Sequence, residues 1–164
     1  MDKRALLLNP PANLLGFGFG SGLVPFAPGT FGTLAAIPIY LLISGVSSLV
    51  YGVLTLIGLI FGVRICEIAV ASLARNSNKA VHDHPSIVWD EIIGFLITMI
   101  FVPLSPLTLC LGFVLFRFFD ILKPWPIRVV DRNVHGGLGI MMDDVIAGVF
   151  ANLSLQLLLL SPFL

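Results

Sequence analysis

IIGFLITMIFVPLSPLTLCLGFVLF, from Ile92 to Phe116, is a run of 25 residues without a charge. A helix crosses the hydrocarbon core of a bilayer in about 20 apolar residues, so the length alone admits one span. The centre does not. Pro103-Leu104-Ser105-Pro106 removes backbone donors and clashes with the preceding turn, which breaks a continuous helix. The run therefore reads as a helical hairpin, with Ser86 to Val102 going in and Leu107 to Leu122 coming out. Each arm is about 16 residues, or about 24 Å at 1.5 Å per residue. Arms that short require a thinned membrane or helix ends set below the headgroups.

Outward from this run, the chain divides by charge. Charged residues fall into Asp2 to Arg4, Arg64 to Glu91, and Arg117 to Asp144. The stretches between and after them are Ala5 to Val63, Ile92 to Phe116, and Val145 to Leu164. The first holds two apolar pieces, Leu34 to Ile43 and Leu49 to Gly62. The turn signal Ser44-Gly45-Val46-Ser47-Ser48 separates them and predicts a second hairpin. The last stretch fits one span. With two hairpins, every charge lies on one side, and all nine Lys and Arg make that side cytoplasmic by the positive-inside rule.

Composition agrees. Of 164 residues, 57% are hydrophobic and 11% charged, with mean hydropathy +1.04; soluble domains are about 25% charged. A chain this small cannot hide so much apolar surface in its own core. Zero formal net charge excludes an electrostatic pull toward nucleic acid, and no obligate protein partner is implied. Cys66 and Cys110 read as small core hydrophobes. The N-terminus reads as a poor signal peptide: Asp2-Lys3-Arg4 suits an n-region, but Asn9-Pro10-Pro11 stops the apolar run after Leu8. The expectation is a single domain, 1–164: an all-α polytopic membrane protein of helical hairpins with a polar site on the cytoplasmic face.

Four short clusters carry the candidate chemistry. Gly16 to Thr33 is rich in Gly and Pro. Its backbone N–H groups suit an anion-binding nest, with Ser21, Thr30 and Thr33 adding hydroxyls and Thr30 or Thr33 capping a helix from near Leu34. His82-Asp83-His84-Pro85 precedes Asp90-Glu91; the histidines fit exposure or a supporting role better than zinc. Arg117 and Asp120 share a helix face, with Lys123 one turn on and Trp125 beyond. Asp131 to Asp144 ends in adjacent carboxylates before the last apolar helix, after a glycine-rich loop at Gly136 and Gly137. The bland readings are helix capping, glycine packing and interfacial anchoring. They do not explain five acids, Asp90, Glu91, Asp120, Asp143 and Asp144, at the ends of three helices on one side. Those acids repel unless cations compensate. Oxygen ligands suit Mg²⁺, and Arg117, Lys123, Arg128 and Arg132 suit phosphate.

Four blocks resemble the phosphatidylglycerophosphatase A family over nearly the whole chain: GFGSGLVPFAPGTFGT (Gly18 to Thr33), HDHPSIVWDEIIGF (His82 to Phe95), FRFFDILKPWPI (Phe116 to Ile127) and GGLGIMMDDVIAG (Gly136 to Gly148). The resemblance implies a Mg²⁺-dependent phosphatase of the bacterial inner membrane. It would act on a phospholipid substrate in the bilayer, converting phosphatidylglycerophosphate to phosphatidylglycerol and inorganic phosphate. The expected metal set is Glu91, Asp120, Asp143 and Asp144, with Asp90 as ligand or base and Lys123 as a catalytic cation. Ser21, Thr30, Arg117, Arg132, Gly136 and Gly137 are expected to bind substrate. Activated water and a transient aspartyl-phosphate both remain open as routes. The rival from another class is a divalent-cation carrier, which calls for an acid near the bilayer midplane.

Overall fold

The computed structural model describes residues 3–77 and 84–161, and among these no strand occurs. The helices are α1 (Lys3–Leu8), α2 (Ala12–Gly16), α3 (Pro28–Ile43), α4 (Ser48–Ser77), α5 (Trp89–Thr98), α6 (Pro106–Leu122), α7 (Ile127–Asn133) and α8 (Gly136–Leu159). A short 3₁₀ segment, Gly18–Leu23, joins α2 to the approach to α3. By length and composition, α4 and α8 can each cross a membrane. Their partners are distributed around α8, which packs on α4, α5, α6 and α7, while α5 also lies against α3 and α4.

Several elements depart from the sequence expectation. The piece from Leu49 to Gly62 extends to Ser77, because Arg64, Glu67 and Arg75 are good helix formers and Arg64 pairs with Glu67 at 2.9 Å on the helix surface. Its 30 residues run about 45 Å, beyond the roughly 30 Å of hydrocarbon. The helix expected from Leu34 begins at Pro28, where proline at the first position suits a helix start. Neither threonine caps it; Thr33 Oγ1 instead donates to Gly29 O at 3.0 Å. Cys66 is buried as expected, but Cys110 is exposed on α6.

The inbound arm of the middle stretch is shorter than expected. In place of Ser86 to Val102, α5 has 10 residues, about 15 Å of helix. Pro103 disfavours helical backbone before it, and the chain turns through Met99 to Phe101. A helix that ends among apolar neighbours must find partners for its last carbonyls. Tyr51 Oη donates to Leu96 O at 2.7 Å. Asn152 Nδ2 donates to both Thr98 O and Ile100 O at 2.8 Å, and Gln156 Nε2 reaches Ile100 O at 3.3 Å. α6 then starts on a Ser105–Thr108 capping box with Pro106 at its first turn, one residue before the expected Leu107.

Glycines set the crossing of α5 and α8. A Cβ on Gly148 would strike the Gly94 backbone, and one on Gly94 would meet the Phe116 ring and Asp144 O, at 2.9 Å from the latter. Such backbone-to-backbone packing is how apolar helices approach closely. One turn above it on each helix stand the acids, Asp90 and Glu91 on α5 and Asp144 on α8.

Candidate active site

Asp143 and Asp144 do not cap a helix. α8 begins at Gly136, so both acids lie in its interior and are buried. Capping, the bland reading of Asp143, is thereby removed. Asp90 and Glu91 occupy the first turn of α5, where the positive helix end favours acids. Carboxylate oxygens of Asp90, Glu91 and Asp144 lie within 4.8 Å of one another. Asp144 also feels the charge of Asp120 and Asp143. The three helices thus bring all five expected acids together.

The decisive detail is unmet bonding. Asp90 Oδ1, Glu91 Oε2, Asp143 Oδ1 and Asp144 Oδ2 are buried without a hydrogen-bond partner. A buried carboxylate left charged and unpaired costs several kcal/mol, a cost that either a proton or a bound cation relieves. A donor set of carboxylate oxygens alone, with no sulfur or imidazole in it, fits a hard ion such as Mg²⁺. Asp90, Glu91 and Asp144 form the tightest seat. Asp90 thus joins the residues whose oxygens could hold an ion, while Asp120 and Asp143 of the expected set carry cationic partners of their own.

Those partners are Arg117 and Lys123. Arg117 contacts Asp120 on its own helix and lies 3.9 Å from Glu91 Oε1. The contact with Asp120 is close but not aligned as a hydrogen bond, leaving Arg117 Nε and Nη1 with unused donors. Lys123 follows α6 in left-handed backbone, φ 44°. Nζ donates to Asp143 Oδ2 at 2.6 Å and Asp131 Oδ1 at 2.5 Å. Burial works against this ammonium, but the two carboxylates outweigh it and hold its pKa above the ordinary lysine range.

The amino-terminal glycine segment also reaches the site. A Cβ on Gly29 would collide with Glu91 Oε1 and stand 3.1 Å from both terminal nitrogens of Arg117. Only hydrogen fits there, and this explains a glycine beside Thr30 at the start of α3. Ser21 Oγ is engaged within its own turn, donating to Gly18 O at 2.8 Å. Gly137 packs against the Val63 carbonyl of α4, and Gly136 carries φ +75° at the start of α8. Arg132 lies at the end of α7, outside the acid cluster. His84 Nδ1 accepts from Ser86 N at 3.2 Å; His82 lies outside the described residues.

Asp131, Gly29 and Asn152 were not singled out by sequence reasoning. Asp131 pairs across the Pro124–Pro126 turn, a relation no helical spacing reveals. An amide at position 152 within the apolar carboxy-terminal run was the available signal for Asn152. Among the described residues, no acid follows Asp90 and Glu91 along α5, where Ile92, Ile93, Phe95 and Leu96 are buried.

Fold and site define a class: an all-α protein whose apolar helices bury a carboxylate cluster flanked by a lysine and an arginine. The profile of the phosphatidylglycerophosphatase A family matches residues 14–159, and the chain belongs to that family. It is 46% identical over 150 residues to the phosphatidylglycerophosphatase A of Escherichia coli (strain K12), covering 91% of this chain and 84% of that one. The Haemophilus influenzae phosphatidylglycerophosphatase A is 43% identical over 151 residues, covering 91% and 88%. A relative from Bacteroides thetaiotaomicron, named a candidate phosphatidylinositol-3-phosphatase, is 38% identical over 146 residues, covering 84% and 87%. No solved structure matches the chain.

Proposed function

We propose that this protein is a Mg²⁺-dependent phosphatase that hydrolyses phosphatidylglycerophosphate to phosphatidylglycerol and inorganic phosphate, in the late part of anionic phospholipid synthesis. The carrying observation is the convergence of orphaned oxygens from Asp90, Glu91 and Asp144 beside two cations. Both phosphatidylglycerophosphatase A relatives align over most of their length. Mg²⁺, when bound, would neutralise the acids and withdraw charge from the phosphoryl group. Asp90, Glu91 and Asp144 would hold it, with Asp143 alongside.

The remaining steps belong to the chain's own residues. Lys123, presented by Asp131 and Asp143, meets a non-bridging phosphate oxygen. Arg117 turns its unused donors to the same group while Asp120 fixes its head. A carboxylate of the cluster orients a water and accepts its proton as the water oxygen bonds to phosphorus. The bond to the glycerol oxygen breaks, and that oxygen takes a proton to become the hydroxyl of the product.

The same reading places α3, α4, α5–α6 and α8 as hairpins and spans of the bacterial inner membrane. The acids then face the cytoplasm, the side on which the basic residues gather. The test is phosphate release from phosphatidylglycerophosphate by the purified protein in detergent. Release that stops with EDTA and returns with Mg²⁺, and partly with Mn²⁺, is expected. No release with Mg²⁺, or full activity with Zn²⁺ alone, overturns it.

A further inference from the structure

A concavity lined by basic residues adjoins Lys123 on the side away from Asp143. The turn after α6 and the exposed face of α7 enclose a cavity of about 440 Å³ lined by Leu122, Lys123, Trp125, Arg128 and Arg132, among others. Lys123 is already balanced by Asp131 and Asp143. Arg128 and Arg132 are exposed, and neither has an ion pair among the described residues. Two arginines therefore line one concavity, neither with an ion pair among the described residues. Its rim is apolar: Trp125 is 80% exposed and Leu122 60%. An exposed tryptophan beside arginines is the composition of a membrane–water interface.

We propose that this cavity binds the phosphodiester of the substrate lipid, while the terminal phosphomonoester passes Lys123 to reach the acids. The inference rests on the phosphatase reading above and deepens it. A lipid such as phosphatidylglycerophosphate carries two phosphates of different kind, a diester next to the acyl chains and a monoester at the far end of the glycerol. Two sites sharing Lys123 match two phosphates sharing one glycerol. Arg128 and Arg132 fork onto the diester oxygens, and Leu122 and Trp125 border the acyl-bearing glycerol. A lipid with a monoester alone leaves the two arginines unmet, so the cavity selects for lipids that carry both groups.

The test uses the full chain in detergent micelles with Mg²⁺, comparing wild type with the Arg128→Gln, Arg132→Gln double variant. KM is measured for phosphatidylglycerophosphate. Phosphatidic acid, which has a monoester and no diester, serves as competitor and yields a Ki. Each lost charge-assisted contact is worth about tenfold, so KM should rise by about 100-fold while Ki rises less than about threefold. The Arg128→Lys, Arg132→Lys pair should recover part of the loss, which separates charge from folding. KM and Ki rising together, or KM unmoved, overturns the proposal. Wild-type protein releasing no phosphate sinks the phosphatase reading instead. The cavity is then judged by Trp125 emission in a Trp89→Phe background with EDTA. A saturable blue shift on adding phosphatidylglycerophosphate, lost in the double variant, supports the site; equal shifts in both proteins overturn it.

Discussion

Gly29→Ala is the sharpest probe of how the site is assembled. In an open helical position, alanine for glycine gains about 0.5–1 kcal/mol through the unfolded chain and helix propensity. Gly52 in α4 is such a position, with nothing within 4 Å of an added Cβ. At Gly29 the same methyl strikes Glu91 Oε1 and crowds both terminal nitrogens of Arg117 at 3.1 Å. Overpacking a filled site costs about 1–3 kcal/mol. Net of the propensity gain, Gly29→Ala should lose up to about 2 kcal/mol, or several degrees of Tm at this chain length. Function should suffer more. Displacing a catalytic carboxylate by about 1 Å costs roughly 100-fold in rate, so kcat on phosphatidylglycerophosphate should fall by that order. The Tm increase on adding Mg²⁺ should shrink with it. The assay pairs thermal unfolding, with and without Mg²⁺, with phosphate release, and Gly52→Ala is the control. If Gly29→Ala behaves like Gly52→Ala in all three readouts, α3 does not seat Glu91 and Arg117 as described.

Other expectations follow from the same contacts. Asp90→Asn, Glu91→Gln and Asp144→Asn should each cut turnover at least 100-fold and weaken the Mg²⁺-dependent rise in Tm; metal-free stability should hold or increase, since each removes like-charge repulsion. An Asp144→Asn protein with normal turnover and normal Mg²⁺ response would contradict the assignment. Lys123→Arg should fold but lose much of its rate, and Lys123→Ala more, because a planar guanidinium does not replace a compact ammonium between Asp131 and Asp143; unchanged kcat and KM in Lys123→Arg would make it a membrane anchor. Asn152→Leu removes both 2.8 Å bonds to the end of α5 and should cost about 1–3 kcal/mol, read by thermal unfolding. In a background without Cys66 and Cys110, an impermeant thiol reagent should label Asn133→Cys only from the cytoplasm and Ser47→Cys only from outside; the reverse pattern would overturn the proposed topology.

The sequence alone determined the helical class, the break of the middle stretch at its prolines, the helix α6 that follows and the five acids that come to lie together. These are legible because apolar length, proline chemistry and costly acids beside apolar runs act locally along the chain. Family membership was legible for the same reason, through four ordered blocks. Helix limits were less so: α8 reaches back to Gly136 and swallows Asp143 and Asp144, and α5 stops at Thr98. Both outcomes depend on neighbours, since a helix end in an apolar interior sits where another segment can satisfy its carbonyls, here Tyr51, Asn152 and Gln156. Tertiary structure alone decided which oxygens share a seat. Asp90, Glu91 and Asp144 meet because Gly94 and Gly148 let two backbones touch, while Lys123 crosses a proline turn to join Asp131 to Asp143. Contacts between residues 50 or more positions apart are set by how helices cross, and no period or spacing along the chain records that angle.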